Sequence, residues 1–238
     1  GKDGGRTVLI SGCIDTQKVH ISSAIASGYK YMLIVTSDEA KARKMCDDAS
    51  FFNREAIYYP AKDAIFYSAD VHGNQITGER LRCISRIINH SSTGEGVLTV
   101  VTTMDGIADR LIPVERFKEA VITLDYSSEI EPEKLAKKLV AMGFVRTGMV
   151  EDKGQFAIRG GIIDIFSYTD EAPVRIELWD TEVDSIRMFD VESQRSIERL
   201  QSYSIFPATE YIFTEDELKN GLYNIKKECD RQLECFDY

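Results

Sequence analysis

Residues 155–166 read Gln-Phe-Ala-Ile-Arg-Gly-Gly-Ile-Ile-Asp-Ile-Phe, and they contain two short apolar runs separated by turn residues. Further short runs lie on both sides of this stretch, at residues 145–151, 174–179 and 185–190. A parallel return between strands needs a crossover of about a dozen residues or more, so this close spacing predicts antiparallel hairpins. A helix over residues 133–142, ending at Gly143, precedes the strands. The middle of the chain is therefore predicted to be an α+β domain with an antiparallel sheet.

The first part of the chain has a different rhythm, in which continuous apolar runs alternate with helical patterns. Strands are predicted at residues 7–11, 31–36, 56–59 and 96–102. Helices are predicted at residues 20–26, at residues 39–52 behind a Ser37 cap and with Ala40 facing the core, and from Thr77 onward. Fully apolar strands that alternate with helices indicate a parallel sheet covered on both faces. This part is predicted to be an α/β lobe.

The last part of the chain predicts one long helix over residues 214–236. Thr214 is the expected N-cap, and Glu217 stands at the capping-box position three residues later. Because this helix runs to the last residues, we expect the chain to have been cut from a longer protein.

Composition points to a globular protein of one large domain or two modest ones. The 238 residues carry a net charge of −10, with 43% hydrophobic and 29% charged residues. No apolar run approaches a membrane span, and the N-terminus lacks a secretory pattern. The five cysteines are scattered without a Cys-x-x-Cys motif, which favours reduced thiols in a cytoplasmic protein and gives a metal site poor support.

The charge distribution argues against a broad DNA-binding surface. Residues 1–115 carry 13 basic and 14 acidic groups, a net charge of −1. Residues 116–206 carry 12 and 17, a net charge of −5, and residues 207–238 carry 4 and 8, a net charge of −4. A nucleic-acid footprint needs clustered Lys and Arg, and none of the three segments is basic.

A degenerate phosphate loop follows the first predicted strand. Residues 12–19 read Gly-Cys-Ile-Asp-Thr-Gln-Lys-Val, where a nucleotide-binding loop has Gly-x-x-x-x-Gly-Lys-Ser/Thr. Gly12 and Lys18 match this pattern, but Gln17 replaces the second glycine and Val19 replaces the hydroxyl that holds Mg²⁺. Asp15 would add negative charge within an anion site. The loop is therefore predicted to be a relic or a structural turn.

Several segments resemble one family of bacterial repair proteins. The degenerate loop resembles the first motif of UvrB, the damage-verifying, helicase-like protein of nucleotide excision repair. Residues 154–166 are the most specific match to the transcription-repair coupling factors, and the Phe-Asp-x-x-Ser-Gln-Arg pattern of residues 189–195 favours that family over UvrB itself. Further matches lie at residues 59–67, 78–81, 142–146 and 173–180. The resemblance covers essentially the whole chain.

The resemblance implies a UvrB-like fold, in which a helicase-like parallel α/β lobe is interrupted by an inserted α+β domain with an antiparallel sheet. The lobe with the degenerate loop would span residues 1–115, and the insert that docks UvrA would span residues 116–206. Residues 207–238 would return to the first lobe as a truncated helical segment.

The resemblance also implies a function in transcription-coupled nucleotide excision repair. The chain would be the N-terminal, non-catalytic module that recruits UvrA after the full-length protein displaces stalled RNA polymerase. This module is expected to bind no cofactor and no membrane. The ATP, the Mg²⁺ and the double-stranded DNA handled by the full-length protein would belong to a motor that lies further along it.

Residue-by-residue matching to UvrB-like inserts gives the expected partner-binding positions. They are Arg146, Arg159, Arg175 with Glu177, and Phe166 as an aromatic anchor. UvrB has one more arginine, two places before the position of Arg159, where this chain has Ala157. Arginine suits such a surface because its planar guanidinium binds carboxylates through two hydrogen bonds.

Alternative interpretations remain open at this stage. The arginines could pair internally with Glu151, Asp152, Asp164 or Glu177, Phe166 could belong to the core, and Trp179 is expected in the core. The chain could also be a nucleotide-binding helicase fragment of the UvrB type, or a module that binds DNA directly. No catalytic residues are predicted, since the sequence contains neither Gly-x-Ser-x-Gly nor His-Glu-x-x-His.

Overall fold

The computed structural model describes residues 7–53, 55–62, 70–94, 96–109 and 111–236. The chain divides into two compact units between Leu111 and Ile112. Both units combine helices with strands, so the mixed α/β class expected from the sequence is confirmed at that level. The domain limits at residues 115 and 206 stay predictions. Within the described ranges, no helix is both long enough and apolar enough to cross a membrane.

The first unit contains a three-stranded parallel sheet in the order β1-β3-β2. Its strands are β1 (Tyr31–Thr36), β2 (Ala56–Tyr59) and β3 (Leu98–Thr103). Its helices are α1 (Asp15–Ala26), α2 (Glu39–Phe52), α3 (Asp70–Thr93) and α4 (Met104–Ala108). Val101 packs with residues of α1 and α2, whereas Leu98 and Val100 pack with Cys83 of α3. The central strand is thus buried on both faces, as parallel strands require.

Several predictions for the first unit are wrong in detail. Residues 7–11 form no strand, and the side chain of Leu9 is 90% exposed. An apolar run becomes a buried strand only when a neighbouring strand pairs with it, and residues 7–11 pair with none of the described strands. The cap of α2 is Asp38, which accepts a hydrogen bond from the Lys41 amide at 2.9 Å, rather than Ser37, and Ala40 is exposed.

The second unit contains a six-stranded sheet in the order β10-β9-β8-β7-β6-β5 and a two-stranded sheet of β11 and β4. The large sheet consists of β5 (Val145–Arg146), β6 (Gln155–Arg159), β7 (Ile162–Phe166), β8 (Val174–Trp179), β9 (Glu182–Phe189) and β10 (Ser196–Arg199). The small sheet consists of β4 (Ile122–Asp125) and β11 (Ser202–Ile205). The helices are α5 (Val114–Ala120), α6 (Pro132–Ala141) and α7 (Glu215–Phe236).

Most neighbours in the large sheet pair antiparallel, as the strand spacing predicted, but one pair does not. β5 pairs with β6 in parallel, with Val145 opposite Gln155 and Arg146 opposite Phe156. The strand predicted over residues 145–151 shrinks to two residues, and the remaining residues carry the chain back for the parallel return. The crossover is shorter than usual because β5 contributes only two residues to the sheet.

The core of the second unit lies between α6 and one face of the large sheet. Leu135, Ala136 and Leu139 of α6 pack against the alternating apolar residues of β6, β7, β8 and β9. Those strand residues are Phe156, Ile163, Ile165, Val174, Ile176 and Ile186. Because side chains alternate across a strand, every second residue of the same strands is directed to the opposite face. That opposite face carries the charged residues discussed below.

The capping prediction for the long C-terminal helix is confirmed. The Thr214 hydroxyl accepts a hydrogen bond from the Glu217 amide at 3.2 Å, and the Glu217 carboxylate accepts one from the Thr214 amide at 2.9 Å. Glu217 also pairs with Arg116, at 2.9 Å. These contacts fix the first residue of α7.

Gly143 ends α6, as the sequence predicted, in a conformation that favours glycine. Its φ is +89°, its amide donates to the Val140 carbonyl, and the Phe144 amide donates to the Leu139 carbonyl. These two hydrogen bonds form a Schellman motif, and they direct Phe144 back into the core. A Cβ at position 143 would lie 2.8 Å from Cβ and Cγ2 of Thr209.

We therefore expect Gly143→Ala to lower the free energy of unfolding by about 2 kcal/mol, since it combines left-handed backbone strain with a steric clash. Gly148→Ala is the matched control, because a Cβ there has open space. It should change stability by less than about 0.5 kcal/mol. Urea unfolding of both variants measures the difference, and equal stability of the two would contradict this account of the helix end.

Candidate docking surface

The face of the large sheet opposite the core carries a compact set of charged and aromatic residues. We call it the polar face, and its residues are Arg159, Ile162, Asp164, Arg175, Glu177, Trp179 and Arg187. The strand register places Asp164 beside Arg175, and Arg175 beside Arg187. The adjacent row contains Arg159, Ile162 and Glu177 side by side. Four of the residues predicted from the resemblance therefore share one face, namely Arg159, Phe166, Arg175 and Glu177, although Phe166 is buried there.

Asp164 on β7 is the buried centre of the polar face. Its side chain is 1% exposed, yet it is a carboxylate. One oxygen accepts a hydrogen bond from Nε of Arg175 at 2.6 Å. The other accepts from Nη2 of Arg175 at 2.9 Å and from Nη2 of Arg159 at 2.6 Å. Two guanidinium groups thus share one carboxylate, which offsets the cost of burying its charge.

Arg175 is enclosed and makes most of its contacts within the protein. Its side chain is 12% exposed, and Nη2 also donates to Oε1 of Gln194 at 2.8 Å. The guanidinium lies over the ring of Phe189, 4.3 Å from its centroid. The hydrogen bonds to Asp164 raise the pKa of Arg175 above its ordinary value, against the opposing effect of burial. Arg175 therefore acts mainly as an internal counter-charge.

Arg159 differs because its side chain is more exposed than that of Arg175 and makes fewer internal hydrogen bonds. Its side chain is 42% exposed, and only Nη2 donates to Asp164. Ala157, the residue opposite Asp164 on β6, is almost completely buried and carries only a methyl group. A small residue there leaves the space through which Arg159 reaches Asp164. The arrangement presents a fixed, partly exposed cation at the end of β6.

Glu177 is engaged within the sheet. Its carboxylate accepts hydrogen bonds from the Ser185 hydroxyl at 2.7 Å and from Nη2 of Arg187. Both partners lie on β9, the neighbouring strand. Internal pairing of Arg159 and Arg175 therefore occurs at Asp164, one of the four acids considered from the sequence, whereas Glu177 pairs with Arg187.

Arg146 lies away from the polar face. It stands opposite Phe156, a core residue, so it is directed to the side of the sheet that α6 covers. Its guanidinium donates to both carboxylate oxygens of Glu133 on α6, at 3.1 and 3.3 Å. The structure thus does not bring Arg146 together with Arg159 and Arg175.

The two aromatic residues singled out from the sequence lie in environments opposite to those expected of an anchor at Phe166 and a core residue at Trp179. Phe166 is buried in a small cluster with Val150 and Ala157, which does not suit an exposed anchor. Trp179, expected in the core, is 79% exposed. It is the last residue of β8 and stands directly before a tight turn at Asp180, whose φ is +58°. The register of Glu177 and Trp179 on alternate positions places the indole on the polar face.

In the predicted degenerate phosphate loop, the polar side chains bond to neighbouring groups of the same segment. The amide of Ile14, just before α1, donates to Oε1 of Gln17 at 3.2 Å. Nζ of Lys18 lies 2.9 Å from the Asp15 carboxylate, and this hydrogen bond lowers the pKa of Asp15 below its ordinary value. Val19 is completely buried among residues of α2 and β3. The side chains that replaced the second glycine and the Mg²⁺-binding hydroxyl thus have structural roles.

Other chemistry finds little support among the residues that the structure describes. They include no group of three or more His, Cys, Asp or Glu side chains placed to hold a metal ion. Burial raises the pKa of the Cys46 thiol to about 11 and that of Cys83 to about 12, so neither is a reactive thiolate near neutral pH. His72 falls where side-chain placement is not described.

Comparisons with known proteins identify relatives of the chain. A family model described as the UvrB interaction domain matches residues 122–211. The chain is 37% identical over 226 residues to a transcription-repair-coupling factor of Bacillus subtilis, covering 94% of this chain and 19% of that protein. It is 34% identical over 240 residues to the protein of the same name from Staphylococcus aureus, covering 97% and 20%. The chain therefore spans about one fifth of the length of the curated relatives it matches.

Titration with Mg·ATP tests the loop between Gly12 and Val19. We expect no binding tighter than about 1 mM, because Gln17 occupies the amide that a phosphate would use and Val19 offers the metal no oxygen. Calorimetry on the folded chain measures this, with Lys18→Ala as the control. Micromolar binding that Lys18→Ala abolishes would contradict the closed loop and favour a nucleotide-binding function.

Proposed function

We propose that the chain is a non-catalytic docking module for UvrA, on the premise that it belongs with the transcription-repair-coupling factors and carries a UvrB interaction domain over residues 122–211. The polar face is the docking surface in this proposal. The first unit is a helicase-like lobe that no longer handles nucleotide. In the intact cytoplasmic protein, the module recruits UvrA after stalled RNA polymerase is displaced, and a separate motor uses ATP and Mg²⁺ on double-stranded DNA.

The single observation that carries the proposal is the pattern of hydrogen bonding and exposure at Arg159. Its guanidinium is anchored through one nitrogen at Asp164 and leaves its other donors accessible at the end of β6. A partner carboxylate can take these donors in a bidentate pair, which is the geometry that arginine favours. Arg159 is thus suited to recognise an acidic side chain on the partner.

Trp179 supplies an apolar centre at the same end of the sheet as this cation. The amide of Leu178 donates to the Gly161 carbonyl at 2.8 Å, so the end of β8 lies beside the turn that follows Arg159. Ile162, partly exposed on the same face, stands between Arg159 and Glu177. Tryptophan and arginine are the residues most enriched where binding energy concentrates, and a polar rim around an apolar centre is the usual arrangement.

Backbone contacts on both sides hold the Trp179 hairpin in place. Besides the contact with Gly161, the Ile130 amide donates to the Thr181 carbonyl at 2.7 Å. Glu129 and Glu182 form a further bridge between the two backbones. A side chain presented on a fixed backbone loses less conformational freedom when it binds. This rigidity supports the polar face as a preorganised surface.

The charge of the segment also favours a protein partner over DNA. Residues 116–206 carry a net charge of −5, so Arg159 is a local positive spot within a negative surrounding. Duplex DNA would meet net repulsion from the charges of this segment. A protein with a carboxylate beside an apolar pocket would meet complementary groups.

Alanine substitution of Arg159 tests the surface. We expect Arg159→Ala to weaken UvrA binding at least about tenfold, or about 1.4 kcal/mol, because the partner carboxylate loses its guanidinium. Arg146→Ala is the matched control, since Arg146 pairs with Glu133 on the other side of the sheet. It should weaken binding less than about threefold in calorimetry with purified UvrA.

Two results of that experiment would count against the proposal. Absence of binding by the folded wild-type chain would exclude the docking function for it. Equal losses from Arg159→Ala and Arg146→Ala would move the docking surface from the polar face to the β5 edge of the sheet.

Replacement of Trp179 tests the apolar centre independently. We expect Trp179→Ala to weaken UvrA binding at least about tenfold and Trp179→Phe to recover part of the loss, since an aromatic ring restores much of the buried area. Stability should change little, because the indole is exposed in the free chain. Tyr223→Ala, which removes an exposed ring from α7, is the control. Unchanged affinity in Trp179→Ala would remove the indole from the docking surface.

A further inference from the structure

Asp164 is the one acid of the polar face that contacts both Arg159 and Arg175. We infer that Asp164 is a positioning residue of the docking surface: it fixes the guanidinium of Arg159 in the orientation that receives the partner's carboxylate. This inference rests on the proposed docking of UvrA and concerns how the same surface recognises an acidic group.

The first step of the argument is the geometry of the shared carboxylate. Arg175 contacts both oxygens of Asp164, through Nε at 2.6 Å and Nη2 at 2.9 Å. That pair fixes the plane of the carboxylate, and Phe189 and Gln194 hold Arg175 itself. The remaining lone pair of Oδ2 is directed to Nη2 of Arg159, at 2.6 Å. The position of Arg159 is thus set by a group that is itself fixed.

The second step is that the two arginines differ in burial and in the number of internal hydrogen bonds. Arg175 is enclosed and neutralises Asp164, whereas Arg159 is 42% exposed and has unused donors. One carboxylate between two guanidinium groups leaves a net charge of +1. Arg159 presents this charge to solvent, because it is the more exposed of the two arginines. Without Asp164, the long Arg159 side chain would be free to sample several rotamers at the end of its strand.

The inference makes a prediction opposite to that from charge alone. Asp164→Asn removes a negative charge and should strengthen attraction to an acidic partner if only net charge mattered. If Asp164 positions Arg159, the same substitution weakens binding, because an amide nitrogen repels one of the two guanidinium groups and the orientation of Arg159 is lost. Asp184→Asn is the matched charge control, since Asp184 is exposed on β9 of the same sheet.

A double-mutant cycle on UvrA binding separates positioning from a general structural effect. The four proteins are the wild-type chain, Asp164→Asn, Arg159→Ala and the double variant, each checked for folding by thermal unfolding. We expect Asp164→Asn to weaken binding about tenfold in the wild-type background and less than about twofold in the Arg159→Ala background. Asp184→Asn should leave affinity within about twofold. Equal losses in both backgrounds, or tighter binding by Asp164→Asn, would overturn the inference.

A second measurement on the wild-type chain keeps the inference testable if Asp164→Asn does not fold. The order parameter of the Arg159 Nε–H group, measured by NMR relaxation, should exceed that of Arg199, which is exposed on the edge strand β10. An order parameter for Arg159 no higher than that of Arg199 would overturn the inference while leaving the docking function standing. If the wild-type chain fails to bind UvrA, the proposed function fails and this inference fails with it.

Discussion

Burial of the Asp164 carboxylate imposes the main constraint on the polar face of the second unit. A charge with 1% exposure must be neutralised and hydrogen-bonded by its neighbours, or the sheet would be destabilised by several kcal/mol. The antiparallel register meets this requirement by placing Arg175 directly opposite on β8. Arg159, at the end of β6, completes the set of hydrogen bonds. A slip of one residue in either pairing would turn these side chains to the core face and leave the charges unpaired.

The same alternation explains why this sheet has a surface left for a partner. An antiparallel sheet can pack one face on a helix and leave the other for further contacts. In the parallel sheet of the first unit, only the central strand β3 is buried on both faces, and Leu33 on β1 is 61% exposed. Leu135 and Leu139 of α6 occupy the core face, and the charged row occupies the other. The two units therefore expose different chemistry, since the exposed side chains of β1 are mainly apolar and the face of the large sheet opposite α6 carries charges. The proposed docking surface therefore lies on the largely antiparallel sheet of the second unit.

Much of this arrangement could be predicted from the sequence, because local signals determine it. The bounds of β8 match the run predicted at residues 174–179, and Gly143 ends α6 as its position suggested. Contacts between distant residues could not be predicted in the same way. The large apolar side chain of Trp179 suggests a core residue, but its position two residues after Glu177, at the end of β8, places it on the face opposite α6. Pairing of Asp164 with two arginines likewise depends on the β7–β8 register, which a run of residues does not fix.

The two candidate sites of the chain show why a matched motif and a functional site are different things. In the phosphate loop, the cation Lys18 has a partner in Asp15 one turn away, and Gln17 takes the amide of Ile14. Both Lys18 and Asp15 are partly exposed, so solvent screens their attraction and the pair imposes little order on its surroundings. On the polar face, by contrast, the Asp164 carboxylate is buried and its two arginine partners differ. Arg175 makes most of its hydrogen bonds within the protein, whereas Arg159 donates through Nη2 alone. A cation whose position is fixed and whose charge is not fully matched is a better recognition group than one that merely occupies a familiar place in a motif. That physical difference, rather than the number of matching residues, is why we propose the sheet and not the loop as the docking surface.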